Sequence, residues 1–125
     1  MEKQIKIMLV EDEAIVAKYL KMELEEEGYL VLDYIPTGES AVEKAGSHKP
    51  DVVLMDAFMP KMNGLEATRI IKKRWRNIRV VILTLHDDIR EEAIAAGADA
   101  FLVKGCSPDD LILEIKNERR WNNDI

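Results

Sequence analysis

Five residues of this chain are of types that could do chemistry together. Glu11-Asp12 follows the apolar run Ile5 to Val10, Asp56 follows Val52 to Met55, Thr84 follows Val80 to Leu83, and Lys104 follows Phe101 to Val103. Singly, each is ordinary. An acid after an apolar run is usually a helix cap or a solvated loop, and a lysine there is usually surface. Brought to one place, they would make three carboxylates, a hydroxyl and an ammonium. Carboxylates crowded together repel one another strongly, so either some stay protonated or a hard cation joins them. Oxygen-only ligands with room for water suit Mg²⁺ or Mn²⁺. No His or Cys stands at ligand spacing, which speaks against zinc. A carboxylate can also attack phosphorus and form an acyl phosphate. Lys104 would then add compact positive charge, and the Thr84 hydroxyl can donate a hydrogen bond to a phosphoryl oxygen.

Whether these residues meet depends on the elements between them. Strand-length apolar runs alternate with amphipathic stretches of helical period. Ile5 to Val10 is the first apolar run, and Val52 to Met55, Val80 to Leu83 and Phe101 to Val103 are short and continuously apolar, as expected of parallel strands covered on both faces. Leu30 to Ile35 is interrupted by Asp33 and is expected at a sheet edge. Residues 13–27 carry Val16, Ala17, Leu20 and Leu24 on one helical face, with Gly28 as a stop. Thr37 caps a short predicted helix through Ala45. Residues 64–75 place Leu65, Thr68, Ile71 and Trp75 at helical spacing, and Asp87 opens a helix ending at Gly97. Ser107-Pro108-Asp109-Asp110 is a strong helix start, predicted to run to about residue 120. Strict alternation with right-handed crossovers predicts one parallel sheet with helices on both faces. In such sheets ligands sit beyond the carboxyl ends of the strands. All five residues stand at such ends.

Composition sets outer bounds. With 125 residues, 47% of them apolar and 34% charged, the chain suits one folded domain. Residues 1–121 are expected to form it, with 122–125 as a frayed tail. The net charge of −6 disfavours binding to a phosphate backbone by this domain, and no apolar run is long enough to span a bilayer. The start Met1-Glu2-Lys3-Gln4 has no signal-peptide pattern, and the single Cys106 fits a reducing cytoplasm. Lys72-Lys73-Arg74-Trp75-Arg76 is basic with an aromatic, but its place at a predicted helix end makes it a solvated terminus. Arg119-Arg120-Trp121 reads similarly, or as a junction to an output domain.

The pattern resembles response regulator receiver domains over essentially the whole chain. The matching segments are Met8 to Glu13, Pro50 to Pro60, Asn63-Gly64, Val81 to Thr84, Ala96-Gly97-Ala98 and Phe101 to Lys104. Most specific is the string from Asp56 to Gly64, D-x-x-M-P-x-x-N-G. The resemblance implies a flavodoxin-like (βα)5 domain, α/β and doubly wound, with strand order 2-1-3-4-5. It implies that Asp56 accepts a phosphoryl group from a histidine kinase or a phosphotransfer protein. Asp12 and Asp56 would bind Mg²⁺ directly and Glu11 through water, with the Phe58 backbone carbonyl completing the set. Lys104 would pair with Asp56 and then with the phosphoryl group. Thr84 and Phe101 would be the switch pair, Thr84 swinging toward the phosphoryl group and the Phe101 ring turning into the vacated space. An attached output domain, or a homodimer formed on phosphorylation, would read the switch.

Several residues depart from the commonest receiver pattern. The acidic pair is Glu-Asp rather than Asp-Asp, Leu85 stands where Ala is common, and Phe101 replaces Tyr. Leu85-His86-Asp87-Asp88 and Lys104-Gly105-Cys106-Ser107-Pro108 look like regulators whose output is a helix-turn-helix domain of the nitrate-responsive class. The first half reads closer to receivers attached to sensor proteins. Phe58 and His86, two residues beyond Asp56 and Thr84, occupy positions that tune dephosphorylation in receivers. Ile15, Tyr19 and Met22 form a second apolar stripe on the first helix. With Gly105 in the loop after Lys104, it is expected to dock the helix bundle that bears a phosphohistidine.

Other functions fit less well. A haloacid-dehalogenase-type phosphatase needs a second acid two residues after its nucleophile, where this chain has Phe58. A flavin-binding domain of the same topology would want a phosphate loop where Glu11 and Asp12 stand. A binding-only pseudo-receiver would have no need of the full residue set.

Overall fold

The structure, a computed structural model, describes residues 4–59 and 62–116. Five strands, β1 (Lys6–Val10), β2 (Leu30–Ile35), β3 (Val52–Met55), β4 (Arg79–Thr84) and β5 (Ala100–Val103), pair in parallel in the order β2-β1-β3-β4-β5. The expected order and the edge position of β2 are both found. Strand geometry sends successive side chains to opposite faces, and these strands are apolar on both. Ile7 and Leu9 of β1, with Val52, Leu54, Val81 and Leu83, pack under α1 (Ala14–Glu26) and α5 (Pro108–Lys116). Met8 and Val10, with Val53, Met55, Val80, Ile82 and Phe101, pack under α2 (Gly38–His48), α3 (Gly64–Arg74) and α4 (Arg90–Ala95). Hence the apolar runs are continuous: the sheet separates two half-cores and each strand feeds both.

The starts of α2, α3 and α5 are set by short polar side chains. Thr37 Oγ accepts from the Ser40 N–H at 3.1 Å, Asn63 Oδ1 from the Glu66 N–H at 2.9 Å, and Ser107 Oγ from the Asp110 N–H at 3.2 Å. Two elements differ from expectation. The segment opened at Asp87 starts as a 3₁₀ turn, Asp87–Ile89, and only then becomes the short α4. Neither Asp87 nor Asp88 is buried, and Ala93 is the one buried residue of α4. Little packing therefore holds this segment to α-geometry. Helix α2 runs on to His48, past the expected end at Ala45, and closes on Lys49 in the left-handed region at φ 49°. The expected continuation of α5 to residue 120, and the frayed tail, lie outside the described residues.

One lysine ties α3 to the sheet. Lys72 Nζ donates to the Arg76 carbonyl at 3.1 Å, the Ile78 carbonyl at 2.8 Å and Asp99 Oδ2 at 2.8 Å. All three ammonium donors are used, and Asp99 Oδ2 also accepts the Val80 N–H at 2.9 Å. Lys72→Met keeps the stem and removes the clamp. It is expected to lower stability by about 2 kcal/mol, the scale of charge-assisted bonds lost at a half-buried site. Urea unfolding of both proteins checks this.

Candidate functional site at the carboxyl edge of the sheet

Backbone hydrogen bonding continues one residue past the strand ends and fixes three functional residues at the rim. The Glu11 N–H donates to the Ile35 carbonyl at 2.9 Å, the Asp56 N–H to the Val10 carbonyl at 2.9 Å, and the Lys104 N–H to the Thr84 carbonyl at 2.6 Å. Their side chains therefore rise from the carboxyl ends of β1, β3 and β5. Carboxylate oxygens of Glu11, Asp12 and Asp56 lie within 4.8 Å of one another. Lys104 Nζ stands 2.7 Å from Glu11 Oε1 and 3.3 Å from Asp56 Oδ2. Four of the five residues expected to converge, Glu11, Asp12, Asp56 and Lys104, thus lie together.

Lys104 meets Asp56 and Glu11 together. The ammonium lies closer to Glu11. The longer glutamate arm reaches across to it, and Glu11 Oε2 is anchored by the Glu13 N–H at 3.1 Å. Asp56 is held from both sides, its Oδ1 accepting the Phe58 N–H at 3.2 Å while Oδ2 faces Lys104.

Burial sets the electrostatics. Glu11 and Asp56 are only 2% and 7% exposed, whereas Asp12 is open to solvent. Burial pushes the Glu11 carboxyl above its usual range, against the pull of Lys104 and the Glu13 N–H, and the Asp56 charge adds to the rise. Burial likewise raises Asp56, opposed by Lys104 and the Phe58 N–H and reinforced by Asp12. For Lys104, burial opposes the charged form, but the two carboxylates outweigh it and the ammonium is held above its ordinary value. Three acids thus face one ammonium in a partly dehydrated pocket. A divalent cation on Asp12 and Asp56 would offset the remaining charge, so the donor set fits a hard, oxygen-seeking ion.

Thr84 is fully buried, and its Oγ accepts the His86 N–H at 3.3 Å. Phe101 is buried in the half-core below. Three features were not legible beforehand. The Arg90 guanidinium lies 4.7 Å from the centroid of the Phe101 ring, a cation–π contact over the ring. The Phe58 and His86 rings meet edge-on with centroids 4.5 Å apart, joining the loops after β3 and β4 across the pocket mouth. Gly64 lies directly under the Asp56 carbonyl, where a Cβ would come within 2.8 Å of the Asp56 carbonyl carbon and 2.9 Å of Ala57 Cα. Sequence spacing marks Gly64 as part of a motif but says nothing of this approach.

Ile15, Tyr19 and Met22 are exposed at 85%, 55% and 56%, on the side of α1 that does not pack on the sheet. A cavity of about 390 Å³ opens beside them between α1 and α5, lined by Val16, Tyr19, Leu20, Lys104, Gly105 and Cys106 among others. Tyr19 of the stripe and the loop after Lys104 therefore line one cavity. Among the described residues, no helix is long and apolar enough to cross a membrane.

Comparison with known proteins agrees with this geometry. The profile of the response regulator receiver domain matches residues 7–116. The chain is 41% identical over 112 residues to the transcriptional regulatory protein PdtaR of Mycobacterium tuberculosis, covering 89% of this chain and 55% of that protein. The chain spans about half the length of the curated relatives it matches. Among solved structures, a LuxR-family two-component response regulator from Aurantimonas sp. SI85-9A1 superposes with a TM-score of 0.86 at 31% identity, covering 91% of this chain and 84% of that one. The response regulator TrrA of Thermotoga maritima, solved in complex with Mg(2+)-BeF, superposes with a TM-score of 0.85 at 34% identity, covering 90% and 97%. A doubly wound fold with these residues at its carboxyl edge, matched along almost its whole described length, places the chain in the response regulator receiver domain family.

Proposed function

We propose that this receiver takes a phosphoryl group onto Asp56 from a sensor histidine kinase or a histidine phosphotransfer protein. The observation that carries the proposal is the convergence of Glu11, Asp12 and Asp56 within 4.8 Å, with Lys104 3.3 Å from the buried Asp56 carboxylate. An Asp56 oxygen attacks phosphorus, and the bond from phosphorus to the donor's leaving group breaks as the new P–O bond forms. Asp12, Asp56 and the Phe58 carbonyl would hold Mg²⁺ or Mn²⁺, Glu11 through a water. When bound, that ion supplies positive charge next to the transferred oxygens. Lys104 leaves its carboxylate partners for the phosphoryl group, and the Thr84 hydroxyl turns to donate to it. Intact mass after incubation with acetyl phosphate and Mg²⁺ tests the reading: a single phosphoryl adduct supports it, and no adduct sinks it.

Thr84 and Phe101 form the switch in this reading. Arg90 gives the inward ring a partner, and an outward Phe101 would have no hydroxyl with which to gain a hydrogen bond. The chain therefore favours the inward ring even before phosphorylation. Residues 1–121 would act as the signalling unit in the cytoplasm, with an output domain or a second receiver reading the switch.

Phe58 and His86 set the lifetime of the phosphorylated state. The Phe58 ring packs edge-on against His86 and itself offers no polar group to orient an attacking water. Phe58→Asn is expected to shorten the Asp56-phosphate lifetime about fivefold, the equivalent of one ordinary hydrogen bond gained in the transition state. Decay of the phosphorylated mass after donor removal measures it; an unchanged or longer lifetime counts against the idea.

Docking of the donor is assigned to Ile15, Tyr19, Met22 and Gly105. Tyr19→Asp places a charge in the exposed stripe and is expected to slow phosphotransfer from a cognate kinase about tenfold, on the scale of one interface anchor lost. Acetyl phosphate labelling should stay intact, because Tyr19 takes no part in the hydrogen bonds and ion pairs that hold Glu11 and Asp56. Equal loss in both assays would refute the assignment.

A further inference from the structure

At the opposite, amino edge of the sheet, α2 and α3 both end beside the starts of β3 and β4. A second cavity opens there, with about 540 Å³ of space, within the range of small-molecule sites. Its apolar lining comes from Ala45, Pro50, Ile78 and the half-buried Trp75. The indole is seated against α2: a Cβ on Gly46 would lie 2.8 Å from its six-membered ring, so only glycine leaves room for it there. Three cations, Lys49, Arg74 and Arg76, rim the same space. All three are exposed, and none forms an ion pair among the described residues. The Arg74 guanidinium already lies toward the indole, 5.9 Å from the ring centroid.

Unpaired positive charge of this density is out of character for a chain of net charge −6. It also exceeds what the helix ends require. The carbonyls there are already satisfied in part: the Trp75 N–H donates to the Ile71 carbonyl at 2.7 Å, the Lys49 N–H to the Ala45 carbonyl at 3.2 Å, and Lys72 serves Arg76 and Ile78. The cavity also contains one acid, Asp51, whose Oδ2 is engaged by the Lys6 N–H at 2.8 Å. We infer that this cavity binds a nucleoside phosphate, the base stacking on Trp75 and the phosphates meeting Arg74, Arg76 and Lys49. An indole offers a face to any base, and guanidinium forks match phosphate oxygens two at a time. A purine is favoured because its larger face covers more of the ring. The site lies at the other edge of the sheet from Asp56 and stands independently of the phosphoryl-transfer reading.

The chain contains two tryptophans, Trp75 and Trp121, so Trp121→Phe makes Trp75 the sole indole reporter. This protein is titrated with ADP in metal-free buffer, which keeps the acidic edge from recruiting the nucleotide through a cation. Saturable quenching of Trp75 fluorescence is expected at sub-millimolar ADP. Affinity should be about tenfold weaker for adenosine and for inorganic phosphate, each of which makes half of the contacts, and should fall with salt as expected of phosphate contacts. Adding Arg74→Ala and Arg76→Ala together should weaken ADP about tenfold or more with an unchanged thermal midpoint, since both side chains are exposed. Absence of saturation at millimolar ADP would overturn the assignment. So would equal affinity for inorganic phosphate, equal quenching by a polyglutamate peptide, or affinity untouched in the double arginine variant. Labelling of Asp56 by acetyl phosphate, run on the same samples, reports separately on the carboxyl edge.

Discussion

Asp56→Ala should take up no phosphoryl group from acetyl phosphate and Mg²⁺ under conditions that label the parent chain. Asp12 is exposed and Glu11 is tied to Lys104 at 2.7 Å, so neither stands in Asp56's place between the Phe58 N–H and the ammonium. The readout is intact mass, and a phosphoryl adduct on the variant would remove Asp56 from its assigned role. A second, opposite effect accompanies the loss. Burial raises the pKa of Asp56 in the folded protein, so the native state holds its proton more tightly than the unfolded chain does. Such a group favours folding most below its unfolded pKa, and that contribution disappears as pH rises through the folded pKa. At neutral pH and without metal, the charged carboxylate is therefore a burden on the fold. Asp56→Ala is expected to raise the thermal midpoint there and to flatten its decline with rising pH between the acidic and neutral range. The same variant should gain less from added Mg²⁺, because one ligand is gone. A midpoint equal to the parent's at every pH would contradict the electrostatic account.

Gly64→Ala is expected to be the most damaging single-methyl change in the chain. The added Cβ would overlap the Asp56 carbonyl oxygen and press on Ala57 Cα at 2.9 Å. Both neighbours are backbone at the end of a buried strand, so no flexible side chain can give way. The Gly64 N–H also donates to the Ala57 carbonyl at 2.9 Å, which pins the two segments together. Relief requires moving either the start of α3 or the loop that carries Asp56. Overpacking of this kind costs about 3 kcal/mol, and urea unfolding reads it directly. Because the displaced atoms belong to Asp56 itself, phosphoryl uptake by folded Gly64→Ala should also fall, by about tenfold or more for a misplacement of an ångström. A stability loss below about 1 kcal/mol with normal labelling would show that the approach is not binding on the backbone.

Most of the architecture could be read from residue patterns because the sheet is buried on both faces. Continuous runs such as Val52 to Met55 admit few other readings, and the interruption at Asp33 marked β2 as the edge. Capping side chains made the starts at Thr37 and Ser107 visible one residue at a time. The Asp87 segment was harder, because a 3₁₀ turn and a weakly buried helix share the same polar pattern. Among site residues, Glu11, Asp12, Asp56, Thr84 and Lys104 were legible because position at a strand end fixes where a side chain goes. The contacts that depend on side-chain direction across loops were not. Nothing in the spacing of Phe58 and His86 says that their rings touch, and nothing in Arg90 says that it covers Phe101. Likewise, choosing glutamate at position 11 has a geometric result, capture of Lys104 at 2.7 Å, that only coordinates can display.

The two half-cores share no side chain. Ile15, Tyr19 and Met22, proposed to meet the donor, ride on α1, above one of them, while the Phe101 ring and α4 belong to the other. Between them lies only a ladder of peptide groups, stiff and indifferent to which side chains it carries. Substitutions that retune the choice of upstream partner can therefore accumulate on one face without altering the balance of the ring on the other, and their energies should add. Address and message are written on opposite pages of the same leaf, so a lineage can revise either one while leaving the other intact.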